Sequence, residues 1–193
     1  MKAFVDIGSH NGQTILKAIQ TIPDCDIYIG IEPVISLIEQ SKKRIPSEYK
    51  DKVIFVNLAI DCLDSDMKMS TFYEDINPAQ LGSSLISDKI ITKKREIEVL
   101  SFDVLFFFDV FLKKYSEIIL KIDIEGKEYD ILEKLLTTNI LKERVKKLYI
   151  EWHWYKTSSI SEDRHKKLVL DLNNIGVIVT GDSKKDEFYN RRR

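Results

Sequence analysis

The chain has 193 residues, near the upper end of the usual single-domain range, so one hydrophobic core is expected rather than two. Lys+Arg (30) nearly cancel Asp+Glu (31), and the basic groups are scattered as Lys42-Lys43-Arg44, Lys93-Lys94-Arg95 and Lys166-Lys167, which argues against the concentrated positive face of a nucleic-acid binder. Cys25 and Cys62 lack the spacing of a metal site or disulfide framework, no signal-type segment opens the chain, and its apolar runs are broken by charge well short of a membrane span, so a cytoplasmic setting without a membrane partner is expected.

Short apolar runs alternate with amphipathic segments, the pattern of parallel strands buried on both faces by crossover helices. A first strand is expected over Ala3 to Ile7, followed by a helix with Ile15, Leu16, Ile19 and Ile22 at helical spacing until Pro23 stops it. A second strand covers Ile27 to Ile31. After Pro33, Ser36 is placed to cap a helix carrying Leu37, Ile38 and Ile45, which Pro46 ends. A third strand covers Val53 to Leu58. Residues 61–100 break this rhythm with a strand around Ser70 to Tyr73, a loop from Asn77 to Ser84 and an alternating run at Ile97 to Leu100, and read as an inserted hairpin-like excursion. Phe102 to Tyr115 is expected as a helix, Ile118 to Ile122 as the fourth strand, a helix marked by Tyr129, Leu132, Leu135 and Leu136 after it, and Leu148 to Trp152 as the fifth strand. A last helix runs through Leu168 and Leu172 to Gly176, and Val177 to Thr180 with Glu187 to Asn190 forms a terminal hairpin. The expected architecture is one α/β domain over residues 1–193, Rossmann-like, with a seven-stranded, mostly parallel sheet, an antiparallel last strand and helices on both faces. Ligands in such open sheets sit at the carboxyl ends of the strands, where the strand order reverses.

Directly after the first strand the chain reads Asp6-x-Gly8-x-x-x-Gly12 and opens a helix. Glycine permits the tight turn and lets a ligand approach the backbone, and the helix start offers unpaired N–H groups to a carboxylate. This is not the Gly-x-Gly-x-x-Gly spacing of dinucleotide enzymes, and Asp6 would repel a pyrophosphate but welcome an ammonium. S-adenosylmethionine carries an amino group, a carboxylate and a sulfonium, so it fits that chemistry. Glu32 at the end of the second strand stands where an acid can hold both ribose hydroxyls. Asn57, Leu58 and Ala59 at the third strand end are candidates for the adenine edge. The competing readings are a plain tight turn for the glycines and an ordinary turn former for Asn57.

The fourth strand ends in Lys121-Ile122-Asp123-Ile124-Glu125-Gly126-Lys127-Glu128. Asp123 sits where a strand delivers a side chain to the ligand crevice, whereas Glu125 and Glu128 also suit a helix's first turn. The fifth ends in Ile150-Glu151-Trp152-His153-Trp154. His153 is placed to take a proton from a hydroxyl near neutral pH, and Trp152 to stack on a flat ligand face; a hydrogen-bonded structural histidine is the alternative. Asp123 with Glu151 is a weaker candidate for Mg²⁺. Ser83 and Ser84 in the insertion are candidate acceptor contacts or simply a polar loop.

At these residues the chain resembles the FkbM-type methyltransferase family: Phe4 to Gly12, Ile31-Glu32-Pro33, Leu58-Ala59, the Lys-x-Asp-x-Glu-Gly-x-Glu string from Lys121, Ile150 to His153, and the ending Asp186 to Arg191. The resemblance implies the class I methyltransferase form of the fold and S-adenosylmethionine as cofactor, held by Asp6, Gly8, Gly12 and Glu32 with Ser9, His10 and Asn11 in the same turn. It also implies O-methylation of a sugar, glycan or small natural-product hydroxyl, with Asp123, Glu125 and His153 bordering the acceptor. His10 stands where the family often has Asn. The chain begins at its first strand, so either a larger or more exposed acceptor, or a partner subunit of a homo-oligomer that completes the pocket, is expected. His153 is the preferred base, oriented with Asp123 or Glu125. The competing activities are N-methylation of nucleic acid or protein, against which the Asp123-Ile124-Glu125-Gly126 turn counts, and a cofactor-binding module without catalysis.

Overall fold

The structure, a computed structural model, describes residues 1–77, 82–89 and 93–180. In chain order the first elements are β1 (Lys2–Ile7), α1 (Gln13–Thr21), β2 (Ile27–Ile31), α2 (Ile35–Arg44) and, after a 3₁₀ turn at Ser47–Lys52, β3 (Val53–Val56). Then come β4 (Ala59–Asp61), β5 (Met67–Asp75), β6 (Lys94–Asp103), α3 (Val104–Val110) and β7 (Glu117–Ile122). The chain continues through α4 (Glu128–Leu136), α5 (Ile140–Arg144), β8 (Val145–Ile150), a 3₁₀ turn at Trp154–Lys156, α6 (Glu162–Asn174) and β9 (Ile178–Thr180). Among the described residues, no helix is long and apolar enough to cross a membrane.

Six strands form one sheet in the order β3-β2-β1-β7-β8-β9, with every neighbouring pair parallel. The antiparallel last strand expected at Glu187 to Asn190, and with it the seventh strand, lies outside the described residues. Period-two alternation explains the two cores. Ala3, Val5 and Ile7 of β1 join Leu120, Ile122, Leu148 and Ile150 on one face, where α3 supplies Phe107 and Phe108 and α4 supplies Tyr129 and Leu132. Phe4 turns to the other face with Tyr28, Ile119, Tyr149 and the α1 residues Ile15, Ala18 and Ile19. Phe107 and Phe108 are fully buried, and each such ring removed from water contributes about 1.5–3 kcal/mol.

Four expectations need correction. The third strand stops at Val56 rather than Leu58 because the chain changes sheets there: Asn57 Nδ2 donates to the carbonyls of Glu32 (3.0 Å) and Pro33 (2.8 Å), and Ala59 pairs with Ser101 instead. The insertion is accordingly a three-stranded sheet, β4-β6-β5, in which β5 and β6 run antiparallel and β4 lies parallel to β6. The aromatic helix is shorter than expected, since Phe102 belongs to β6 and Asp103 caps α3 by accepting the Leu105 and Phe106 N–H groups. Ser36 does not cap α2; Val34 occupies the N-cap, and its own N–H goes to Glu32 Oε1 at 2.9 Å.

Candidate active site

The reversal of strand order lies between β1 and β7, where β2 leaves to one side and β8 to the other. The loop after β1 is wound tightly: Gly8, His10 and Gly12 all have positive φ (86°, 48° and 76°). Glycine is required at Gly8, because a Cβ there would lie 2.0 Å from the Asp123 carbonyl oxygen. The turn is anchored by Gly8 N and Ser9 N, which both donate to Ile31 O, and by Ser41 Oγ, which donates to His10 O. Arg44 Nε donates to Asn11 O. Gly12 caps α1 without a side-chain hydrogen bond, which leaves the first-turn N–H groups to a ligand carboxylate.

Glu32 is buried beside this turn, and its two oxygens accept the N–H groups of His10 (3.0 Å) and Val34 (2.9 Å). Burial pushes its carboxyl up to about 7, against those two hydrogen bonds. Asp6 is fully buried under the turn, where Oδ1 accepts from Lys121 Nζ at 3.2 Å and Oδ2 has no partner among the described residues. Burial raises the Asp6 carboxyl to about 6 although Lys121 opposes it. Lys121 also reaches Asp123 Oδ2 at 3.1 Å, and despite its own burial the two carboxylates hold its ammonium above the ordinary value. A lysine in the otherwise apolar run Ile-Ile-Leu-Lys-Ile needs such partners, so the sequence did carry a signal for it.

The turn after β7 gathers three loops. Glu125 has a left-handed backbone (φ 59°), uncommon for a non-glycine residue and often found at functional sites. Its carboxylate is buried and takes Lys89 Nζ from the insertion and Lys156 Nζ (3.1 Å) from the segment after β8. Ser84 Oγ donates to the Glu125 carbonyl, and Asp88 accepts from Thr157 and Ser158, so the insertion and the post-β8 segment are clamped together. Lys89 is a contributor that no local pattern in the chain points to.

A cavity open to solvent joins the two halves. Its wall runs from Gly8, His10, Glu32 and Ala59 to Ser83, Asp123, Glu125 and Lys127, and Leu37, Phe72 and Leu85 supply an apolar side. Asp6, Ser9, Asn11, Gly12 and Asn57 stand behind or beside that wall. Ser84, Glu151, Trp152 and His153 do so as well. Trp152 is committed to packing, with Tyr129 and His165 rings at 5.3 and 5.0 Å, and so cannot serve as the expected stacking platform.

His153 is fully buried. Its backbone N–H donates to Glu128 Oε1 (2.9 Å), and its Nδ1 lies 3.1 Å from the same oxygen. Burial alone would lower its pKa, but Glu128, Glu151 and Glu125 together raise it to about 9. A protonated imidazole away from the cavity wall is poorly placed for the base role expected of it.

Strand order, glycine turn and paired acids define the class: a Rossmann-like α/β protein with its ligand cavity at the switch point. Within that class, residues 6–172 match the model of the methyltransferase FkbM domain, and the chain belongs to this family. It is a methyltransferase, and the family implies S-adenosylmethionine as the cofactor in general. Neither a curated protein nor a solved structure matches the chain.

Proposed function

We propose that this chain is an S-adenosylmethionine-dependent O-methyltransferase acting on a hydroxyl of a sugar, glycan or small natural product. The observation that carries the reading is that one cavity is lined both by the Gly8 turn with Glu32 and by Asp123 with Glu125. The cradle fits the cofactor: Gly8 has no room for a side chain, α1 begins without a side-chain cap, and Glu32 offers paired acceptors for a vicinal diol. When bound, S-adenosylmethionine supplies a sulfonium methyl that a hydroxyl oxygen can attack in line.

The protein's own contribution is orientation and proton removal. Asp123, on the wall and paired with Lys121, takes the proton of the acceptor hydroxyl. Glu125 and Ser83 orient the acceptor from the side of the insertion. Phe72 and Leu85 exclude water along the apolar side. The acceptor is a small molecule or glycan, not nucleic acid, and an oligomer of this chain is compatible with the open cavity.

Labelled-methyl transfer from S-adenosylmethionine to pools of glycans and hydroxylated small molecules tests the reading. Asp123→Asn should lower single-turnover transfer on the order of 10²–10⁴-fold while S-adenosylhomocysteine still binds. Tight binding with no transfer to any pool would reduce the protein to a cofactor-binding module.

A further inference from the structure

Behind the cavity wall, three potential ligand atoms of Asp123, Glu125 and His153 lie within 4.8 Å of one another. Acidic clusters are common without a ligand, but here a second feature points into the cluster. His153 Nε2 is buried with no hydrogen-bond partner among the described residues, while Nδ1 is fixed by Glu128 on the opposite edge of the ring. An imidazole oriented through one nitrogen by a carboxylate, with the other nitrogen aimed at acids, is the arrangement of a metal-ligating histidine. From Nε2, Glu125 Oε2 lies at 3.5 Å, Glu151 Oε1 at 3.6 Å and Asp123 Oδ1 at 3.9 Å. Each is too long for a hydrogen bond or at its outer limit. Ligands about 2.1 Å from a tetrahedral ion stand about 3.4 Å apart, close to the first two of these separations.

Charge agrees with geometry. Among the described residues, the carboxylates of Asp6, Asp123, Glu125, Glu128 and Glu151 outnumber the ammonium groups of Lys89, Lys121 and Lys156 that pair with them, an excess of negative charge that a divalent cation would offset. We infer that Asp123, Glu125 and His153, with Glu151 at the rim, form a binding site for a divalent first-row transition-metal ion of the Mn²⁺ or Zn²⁺ kind. Mixed nitrogen and oxygen donors favour such ions over Mg²⁺ or Ca²⁺. Any proton on Nε2 leaves as the ion enters. The site itself does not depend on the methyl-transfer reading. Its use, drawing an acceptor hydroxyl toward Asp123 and making it more acidic, does.

The test titrates chelator-treated full-length chain with Mn²⁺ and with Zn²⁺ by calorimetry, with Mg²⁺ for comparison. One ion per chain is expected, bound at least tenfold more weakly by His153→Ala and by Glu125→Gln, and unchanged by Glu162→Gln on the exposed face of α6. No binding, or equal binding by His153→Ala and Glu125→Gln, overturns the site. Should those variants misfold by circular dichroism, the wild-type chain decides: Co²⁺ should give the intense visible absorption of a four-coordinate centre, and its absence overturns the site equally. S-adenosylhomocysteine is titrated in parallel. Loss of metal binding beside intact cofactor binding removes only the metal site, and the converse removes only the methyl-transfer reading.

Discussion

Gly8→Ala probes the point where the cofactor turn and the acid turn meet. The substitution has two separable costs. A left-handed φ of 86° penalises any L side chain by about 1–2 kcal/mol. The new Cβ would also begin 2.0 Å from the Asp123 carbonyl oxygen, so the loops after β1 and β7 must part by on the order of 1 Å, in a packed region where such overpacking costs about 1–3 kcal/mol. Gly176→Ala supplies the control. Its φ is 74°, but nothing lies within 4 Å of its Cβ position, so it carries only the backbone penalty. The expected destabilisation is about 2–5 kcal/mol for Gly8→Ala, a fall in midpoint of about 4–20 °C, against about 1–2 kcal/mol for Gly176→Ala. Denaturant unfolding measures both, and calorimetry should show S-adenosylhomocysteine binding weakened at least tenfold in the Gly8 variant alone. Equal unfolding midpoints for the two variants would refute the close approach of the turns.

Four further outcomes follow from the buried charges. Because Glu32 is raised from about 4.5 to about 7, the stability that its neutral form contributes is fully present below about pH 4.5 and is lost as pH rises through 7; unfolding of Glu32→Gln should lack this dependence. Adenosine has no group titrating in that range, so its affinity should fall by up to about tenfold per pH unit below 7 as the diol-accepting carboxylate is protonated, and a flat profile would remove Glu32 from ribose binding. Lys121→Met leaves Asp6 and Asp123 without their shared cation and should cost about 3–5 kcal/mol in urea unfolding. Asp103→Ala removes the α3 cap at about 1 kcal/mol, leaves the Leu63 N–H without its acceptor and takes one of two partners from the Lys134 ammonium, for a total of about 2–4 kcal/mol by thermal denaturation.

The strands of the main sheet were legible because their patterns are local. Ala3 to Ile7, apart from Asp6, and Ile27 to Ile31 are apolar on both faces, as strands covered on both sides must be, and β2 has the expected bounds. The second sheet was not legible as a sheet. β4 has only three residues, and its pairing with Ser101, Phe102 and Asp103 joins segments some forty residues apart in sequence, a register that no periodicity encodes. Asn57 shows the same limit on a smaller scale. Its identity suits a turn or an adenine contact equally, and the choice is made by two carbonyls, of Glu32 and Pro33, brought within reach only by folding.

The same reasoning accounts for His153. The sequence places a histidine at the carboxyl end of a central strand, and that position alone suggests a proton acceptor. What decides its chemistry is depth and company, neither of which is written locally: Glu128 comes from the start of α4, Glu125 from the turn before it, and Glu151 from the end of β8. These acids hold a proton on the ring or, at the proposed metal site, exchange it for a cation. Under the proposed function, the reacting proton then belongs to Asp123, the side chain that reaches the cavity wall. A His153→Gln variant should separate the roles: transfer should fall and its pH-dependent limb should move along the pH axis but persist, whereas a direct base would take the neutral-pH limb of the profile with it.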